Sequence, residues 1–314
     1  MGRSWPAANE IDNNDSDNLA SMICYRIPLR RSELVLIVYF LYASVVSMAL
    51  PVARSITFVT IALNAGVIGA FLLLAWADSA GRGRITGIVR DWYALALALL
   101  TYREMGWFAL PHANTALEQS WVGWDRMLLN GWGVKAAIES LGPLLPAILE
   151  ISYSLVYAIA PFCLAMLYGS ARRERVDAFL FTFLLAVTGC YVLFPYFPSE
   201  PPRTVFPTED LPAYLTPFRR FNLGLLGGYG IHTSVFPSAH NAGAFSASLA
   251  MLRLLPERPW VGRGLLALAV SIGTATVYGR YHYLVDALAG LGMALAAEAV
   301  SRFFSPKIFS PRKL

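Results

Sequence analysis

Pro-Ser-Ala-His at residues 237–240 and Tyr-Gly-Arg-Tyr-His-Tyr-Leu-Val-Asp at residues 278–286 stand at the two ends of a long apolar stretch. The interval between His240 and His282 has room for two membrane-crossing helices of ~20 residues each. A chain that crosses the bilayer and returns over this interval brings both histidines to the same membrane face. The stretch therefore predicts a transmembrane hairpin with a paired-histidine site at its mouth.

The rest of the chain is similarly apolar. Of its 314 residues, 56% are hydrophobic and 14% are charged, and the mean hydropathy is +0.52. These values exclude an ordinary soluble domain and predict an all-α, polytopic membrane helical bundle. The net charge of +5 comes from short Lys and Arg clusters between apolar runs, which is typical of cytoplasmic loops. We expect the lipid bilayer as a partner and no nucleic acid.

The apolar runs predict about eight spans. They cover residues 34–53, 56–76, 91–110, 145–168, 178–197, 237–255, 264–278 and 283–303. The run at 91–110 contains Arg103 and Glu104, so it could instead lie partly at the membrane interface. The basic clusters lie in the loops at 80–90, 169–176 and 253–263 and at both termini, which predicts that these segments are cytoplasmic. His240, His282 and Arg203 are then extracytoplasmic.

Four regions follow from this pattern. They are a polar cytoplasmic arm at 1–30, a transmembrane hairpin with a cytoplasmic loop at 31–90, a catalytic transmembrane core with extracytoplasmic loops at 91–304, and a basic cytoplasmic tail at 305–314. The first apolar run begins at Leu34, is long and lacks a small-residue cleavage site, which favours a retained span over a signal peptide. Residues 111–144 are mixed and rich in Trp, which predicts an interfacial helix or a lid.

His282 and Asp286 are four residues apart at the start of the last span, so their side chains share one helix face. A carboxylate that accepts from one imidazole nitrogen fixes the tautomer and leaves the other nitrogen as a nucleophile or base. The alternative is a capping or packing pair. A carboxylate inside an apolar span is costly without a partner, which favours the functional interpretation.

Residues 237–240 open the sixth predicted span, with Ser238 in an N-cap position. Free backbone amides at a helix start, together with the helix dipole, form an anion site, and His240 lies beside it. An ordinary cap with an interfacial histidine is the alternative. Arg203 and Arg280 are predicted on the same membrane face, and guanidinium groups bind phosphate oxygens bidentately. For Arg203, an exposed position in a loop, in contact with water or lipid headgroups, is nearly as well supported as a phosphate-binding role.

Other polar residues receive simpler interpretations. The pair at 219–220, both arginines, is predicted to contact lipid headgroups. His112 and His232 are interpreted as loop histidines, although His232 could line the site. Asp125 and Glu118 could select an acceptor hydroxyl, but a solvated face of an interfacial helix is favoured.

A nucleophilic histidine, an acid histidine and an arginine-lined anion site point to phosphoryl transfer through a phosphohistidine. His282 must be neutral to attack, and His240 must be protonated to release the alcohol. Acidic clusters that would hold magnesium are absent from the predicted outer loops, so no metal or other cofactor is expected.

These residues resemble the type-2 phosphatidic acid phosphatase superfamily, which also includes vanadium haloperoxidases. The matches are Pro-Ser-Ala-His at 237–240, His-Tyr-Leu-Val-Asp at 282–286 and Pro-Pro-Arg at 201–203. The resemblance covers roughly residue 145 to the C-terminus and implies a six-helix core if the run at 91–110 is included. It implies a metal-independent enzyme acting on a phosphorylated lipid in the membrane.

The resemblance also implies a role for each matching residue. His282 would be the nucleophile, Asp286 would orient it, and His240 would protonate the leaving group. Arg203 and Ser238 would contact the phosphate, and Ala239 and Arg280 are predicted with them as phosphate-binding positions.

Three departures from the family pattern bear on the substrate. Tyr196 replaces a lysine, Ala239 replaces the glycine of Pro-Ser-Gly-His, and the last arginine is Arg280 and not residue 276, which is Thr276. These changes are similar to the inositol phosphotransferase branch, which includes inositolphosphorylceramide synthases and suggests inositol or another alcohol as acceptor. A simple lipid-phosphate or polyprenyl-diphosphate phosphatase is the alternative. A non-catalytic lipid-binding or transport protein, suggested by prolines within the spans, is a weaker one.

Overall fold

The computed structural model describes residues 29–79, 84–109, 114–231, 233 and 235–304. Most of the predicted N-terminal arm and the whole predicted tail at 305–314 lie outside the described residues. The same holds for His112 and His232.

Every regular element within these ranges is helical, which confirms the predicted all-α fold. In chain order the α-helices are α1 Arg31–Ala49, α2 Arg54–Ser79, α3 Arg84–Met105, α4 Ala116–Arg126, α5 Val134–Glu139, α6 Leu144–Gly169, α7 Val176–Leu193, α8 Pro202–Val205, α9 Pro217–Tyr229, α10 Ala239–Leu254, α11 Pro259–Tyr278 and α12 Leu284–Phe304. A π-helical turn, Met127–Gly131, follows α4, and 3₁₀ turns flank α7 at Arg173–Arg175 and Phe194–Tyr196.

Six of the described helices are long and apolar enough to cross a membrane. They are α1, α2, α6, α11, α12 and the segment Arg173–Tyr196 that contains α7. The chain is therefore a multi-pass integral membrane protein. The other two predicted spans are also helical, as α3 and α10. However, α3 carries four charged residues after its first turn and α10 has only 16 residues, so the count of eight stays a prediction.

The start of α3 corrects the predicted loop at 80–90. Residues 84–90 are helical, and Arg90 is almost completely buried. Its guanidinium donates to both carboxylate oxygens of Glu33 on α1, each at 2.7 Å, and to Asp78 on α2 at 2.6 Å. From its charge alone, this arginine is predicted to lie in a loop. Acidic partners on two neighbouring helices, the fully buried Glu33 and the partly exposed Asp78, allow it to lie inside the bundle instead.

The centre of the bundle is α10. It packs against α11, α7, α12 and α6, so protein and not lipid covers most of its surface. Its sequence is rich in Ala, Gly and Ser, and small residues let membrane helices approach closely. This composition explains why a helix at the core of a membrane protein does not reach the hydropathy of a lipid-facing span.

A glycine permits the closest approach in this core. A Cβ atom added at Gly290 of α12 would lie 2.4 Å from the carbonyl oxygen of Ser238, just before α10. Only a residue without a side chain fits there. The N-terminal ends of α10 and α12 are thereby held side by side.

The buried Arg90–Glu33 pair generates a stability prediction. Arg90→Ala leaves the Glu33 carboxylate buried without its bidentate partner, and removal of one partner of a buried ion pair costs about 3–5 kcal/mol. We expect a clearly lower unfolding temperature in detergent, measured by differential scanning fluorimetry. The control is Arg172→Ala, because Arg172 pairs with Glu257 where both side chains are about 40% exposed, and exposed pairs contribute about 1 kcal/mol or less. Equal shifts in the two variants would contradict the prediction.

Candidate active site

The two histidines of the opening motifs lie together at one end of the bundle. His240 is the second residue of α10, and His282 lies in the turn between α11 and α12. Nδ1 of His240 is 3.4 Å from Nε2 of His282. Their approach follows from the packing of α10 against both α11 and α12.

Asp286 lies on the other side of the His282 ring. Its Oδ2 atom is 3.4 Å from Nδ1 of His282 and accepts a hydrogen bond from the amide of Tyr283 at 2.9 Å. The carboxylate therefore faces one ring nitrogen, while Nε2 faces His240. Burial and the positive charge of Arg203 lower the pKa of His282 to about 3, so its imidazole is neutral at pH 7.

Ser238 caps α10, as its position predicted. Its hydroxyl accepts hydrogen bonds from the amide and the side-chain nitrogen of Asn241, and its own amide donates to the carbonyl of Asp286 at 3.0 Å. Asn241 also donates to Thr276, the position where the family pattern has an arginine. The hydroxyl of Ser238 is thus engaged within the protein, and the residue is fully buried.

The loop that carries Arg203 docks onto the turn around His282. The amide of Arg203 donates to the carbonyl of Arg280 at 3.2 Å, and its Nη1 donates to the carbonyl of Tyr281 at 3.4 Å. The guanidinium also lies 5.6 Å from the centre of the Tyr281 ring. These contacts bring a half-buried cation next to both histidines, although the loop is about 80 residues away in sequence.

Arg280 is placed differently from Arg203. It is fully buried with φ of +61°, and its Nη1 donates to Asp125 at 2.8 Å. The second oxygen of Asp125 accepts from the amide of Leu284, also at 2.8 Å. Asp125 therefore holds residues on both sides of His282. Nε and Nη2 of Arg280 have no hydrogen-bond partner among the described residues.

The predicted solvated helix face for Asp125 and Glu118 is wrong. Both side chains are fully buried, because α4 packs against the start of α12 and against α8. Glu118 accepts a hydrogen bond from the amide of Glu200 at 2.9 Å, which fastens the loop that leads to Arg203.

An aromatic stack beside His240 was not predicted from the sequence. The His240 ring stacks on Tyr153 at 5.0 Å, and Tyr153 stacks on Tyr281 at 4.2 Å. The Tyr281 hydroxyl donates to Glu150 at 2.6 Å. Glu150 is a carboxylate within an apolar span, and such residues usually need a polar partner. Its position in the sequence could therefore have predicted a buried polar cluster here.

Arg219 completes the cluster and corrects a prediction. Its Nη1 donates to Glu150 at 2.9 Å and to the carbonyl of Gly279 at 3.1 Å, and the residue is only 5% exposed. It therefore does not contact lipid headgroups as predicted. Its neighbour Arg220 is exposed, so contact with lipid headgroups stays a prediction for this residue.

A cavity of about 410 Å³ opens from the histidines into the apolar part of the bundle. Four of the predicted site residues line it. They are Arg203, Ala239, His240 and His282. The other three, which are Ser238, Arg280 and Asp286, lie behind this lining. The described residues contain no cluster of His, Cys, Asp and Glu side chains that could hold a metal ion.

The sequence comparisons agree with this geometry. Residues 121–300, more than half of the chain and including both histidine motifs, match the family model of the PAP2 superfamily. The chain belongs to the PAP2 superfamily. This is the type-2 phosphatidic acid phosphatase superfamily that the motifs resemble, and the chain is a membrane phosphatase-like member of it.

The chain also matches a short part of a curated protein. Over 74 residues the chain is 36% identical to a PA-phosphatase related-family protein of Dictyostelium discoideum, and the match covers 24% of this chain and 13% of that protein. The chain thus spans a small part of that relative's length. No solved structure matches it. Helices α1 to α3 precede the part that the PAP2 model matches.

The contacts of Asp125 generate a prediction about the His282 turn. Asp125→Ala removes the partner of the buried Arg280 and the acceptor of the Leu284 amide, at a cost of about 3–5 kcal/mol. We expect a lower unfolding temperature and a loss of any activity that depends on His282. The control is Glu209→Ala, because Glu209 pairs with Arg126 on the exposed side of α4 and should contribute about 1 kcal/mol or less. An unfolding temperature unchanged in Asp125→Ala would contradict the prediction.

Proposed function

We propose that this PAP2 superfamily protein transfers a phosphoryl group or a phospho-headgroup from a phosphorylated lipid through a phosphohistidine on His282. The observation that carries the proposal is the position of His282, with Nε2 3.4 Å from Nδ1 of His240 and Arg203 beside it, at the head of an apolar cavity. Two imidazoles and a guanidinium supply a nucleophile, an acid and a phosphate ligand.

In the first half-reaction, Nε2 of His282 attacks the phosphorus atom. An N–P bond forms, and the bond between phosphorus and the leaving oxygen breaks. Burial, His282 and Arg203 lower the pKa of His240 to about 3, so the bound phosphate anion must favour the proton that His240 gives to the leaving oxygen. The lipid then departs as a neutral alcohol. Asp286 lies next to Nδ1 and stabilises the positive charge that develops on the His282 ring.

In the second half-reaction, water or an alcohol attacks the phosphohistidine. His240, now neutral, accepts the proton of the attacking hydroxyl, and the N–P bond breaks to restore neutral His282. The same two histidines thus serve both half-reactions. His282 is first the nucleophile and then the leaving group, and His240 is first the acid and then the base. The step requires no metal ion, and Arg203 supplies the positive charge next to the phosphate oxygens.

The acceptor is proposed from sequence similarity. Tyr196, Ala239 and Thr276 replace residues of the general family pattern in a way that resembles the inositol phosphotransferase branch, so inositol or a similar alcohol is the proposed acceptor. The alternative is water, which would make the protein a lipid-phosphate or polyprenyl-diphosphate phosphatase. The proposed site faces the extracytoplasmic side, with both termini in the cytoplasm, because of the distribution of basic loops.

A transport role has less support. Transporters that bind ligands at the membrane midplane use helices interrupted at that depth. Pro161 lies inside α6, but the helix continues without a break from Leu144 to Gly169.

The nucleophile can be tested directly. His282→Gln removes the attacking nitrogen but preserves size and polarity, so we expect loss of turnover with an unchanged unfolding temperature. Wild-type protein given a phospholipid labelled at phosphorus should carry acid-labile, base-stable label, and His282→Gln should carry none. Because His240→Gln keeps the nucleophile, it should still accept label from a substrate with a good leaving group. Full turnover by His282→Gln would overturn the mechanism.

The acceptor can be tested on the purified wild-type protein. With the labelled phospholipid and added inositol, a transferase should form labelled inositol phosphate, because the lipid has already left as an alcohol when inositol attacks. Formation should depend on the inositol concentration and stop in His282→Gln. Free phosphate as the sole product with and without inositol would exclude transfer to inositol and support the phosphatase alternative.

A further inference from the structure

We propose that the gap between α3 and α6 binds one hydrocarbon chain of the lipid substrate, and that α3 sets the chain length that the protein accepts. The proposal rests on the proposed function for the position of the phosphate. It goes beyond that function because α3 lies outside the matched residues 121–300. The residues that the PAP2 model matches therefore do not by themselves supply this wall.

The gap is a feature of the helix packing. Helix α3 packs against α7, α1 and α2, whereas α6 packs against α11, α9 and α10. The two helices make no extended contact with each other, and the cavity of about 410 Å³ lies between them over α7. This volume is within the range of about 300–1,000 Å³ that is typical of small-molecule sites.

The α3 wall of the gap is a single helix face. Its lining residues recur at intervals of three and four, as expected for one side of a helix. They include Trp92, Leu95, Ala96, Leu99 and Tyr102. Leu99 is 63% exposed and Trp92 is 42% exposed, so this wall also faces the surrounding lipid. The gap is open sideways to the bilayer.

The α6 wall and the floor are apolar as well. Val156, Tyr157 and Ala160 of α6 line one side, and Phe183 and Val187 of α7 line the floor. Polar groups are concentrated at one end, where Arg203, His240 and His282 lie. A site with a phosphate-binding head and an apolar tail along the membrane fits an amphiphile with a terminal phosphate.

The length of the wall limits the bound chain. From Tyr102 to Trp92 the helix axis rises about 15 Å, at ~1.5 Å per residue. This is about half of the ~30 Å hydrocarbon core of a bilayer. Tyr102 accepts a hydrogen bond from the amide of Ile231 near the polar end, and Trp92 lies at the far end. Next to Trp92, Asp91 accepts a hydrogen bond from the hydroxyl of Tyr168 on α6, so the two walls meet at this end of the gap.

Chain-length selectivity tests the proposal. Ala96 is an exposed residue in the middle of the α3 wall, so Ala96→Trp should fill the far half of the gap. Each pair of excluded methylene groups should raise KM by about tenfold for long-chain single-tailed phospholipids. Short-chain substrates that end before Ala96 should keep their KM. Trp92→Ala should have the opposite effect and favour longer chains.

A matched control is available on α6. Ala158 is also an exposed alanine but does not line the cavity, so Ala158→Trp should leave the ratio of long-chain to short-chain KM unchanged. Equal changes for long and short chains in Ala96→Trp, or equal ratios in Ala96→Trp and Ala158→Trp, would overturn the proposal.

Binding separates this proposal from the proposed function. A radiolabelled long-chain alkyl phosphonate, which resists hydrolysis, should bind wild type and Ala158→Trp at least about tenfold more tightly than Ala96→Trp. No turnover of any lipid, together with this binding pattern, would contradict only the proposed function. Equal binding by all three proteins, or no binding by any of them, would contradict the tail site.

Discussion

One hydrogen bond joins the two halves of the site. The amide of Ser238 donates to the carbonyl of Asp286 at 3.0 Å and ties the start of α10 to the first turn of α12. His240 is two residues after one end of this bond, and His282 is four residues before the other. The bond can form because Gly290 presents no side chain to the carbonyl of Ser238. The distance between the two imidazoles is thus set by main-chain contacts and helix packing, which vary less than side-chain positions.

The charges around the site obey a second constraint. Asp125, Glu150 and Arg219 are nearly or fully buried, and each has an oppositely charged partner or several hydrogen bonds. An unpaired charge at such depth is strongly unfavourable, so each pair also fixes the segments that carry it. Asp125 fixes the turn around His282, and Glu150 fixes the Tyr281 ring on which Tyr153 stacks. Polar residues that touch no substrate in the proposed mechanism therefore define where the imidazoles lie.

Local patterns made part of this site predictable from the sequence. The proximity of His282 and Asp286 and the cap position of Ser238 depend on residues close in sequence, and such features are visible without knowledge of the fold. His282 itself lies in the turn before α12 and not on its predicted helix face. Arg219 and Asp125 were misinterpreted because their partners are far away in the sequence. Arg219 pairs with Glu150 on α6, and Asp125 pairs with Arg280 beyond α11. Charge alone indicated a surface, and only the packing of distant helices shows that both residues are buried.

The same limit applies to helices. The apolar runs predicted a helix at residues 237–255 but not that α10 is covered by protein, which its small and polar residues and lower hydropathy accompany. Residues 91–110 were predicted as a span, with a partly interfacial segment as the alternative because of Arg103 and Glu104, and neither interpretation predicts that α3 forms a wall of the cavity. In the proposed mechanism the hydrocarbon chain of the lipid lies along this wall, and its phosphate group lies at the polar end of the same cavity. The first half-reaction therefore depends on the apolar part of this cavity, and the second depends on access of water or an alcohol to its polar end at Arg203, His240 and His282.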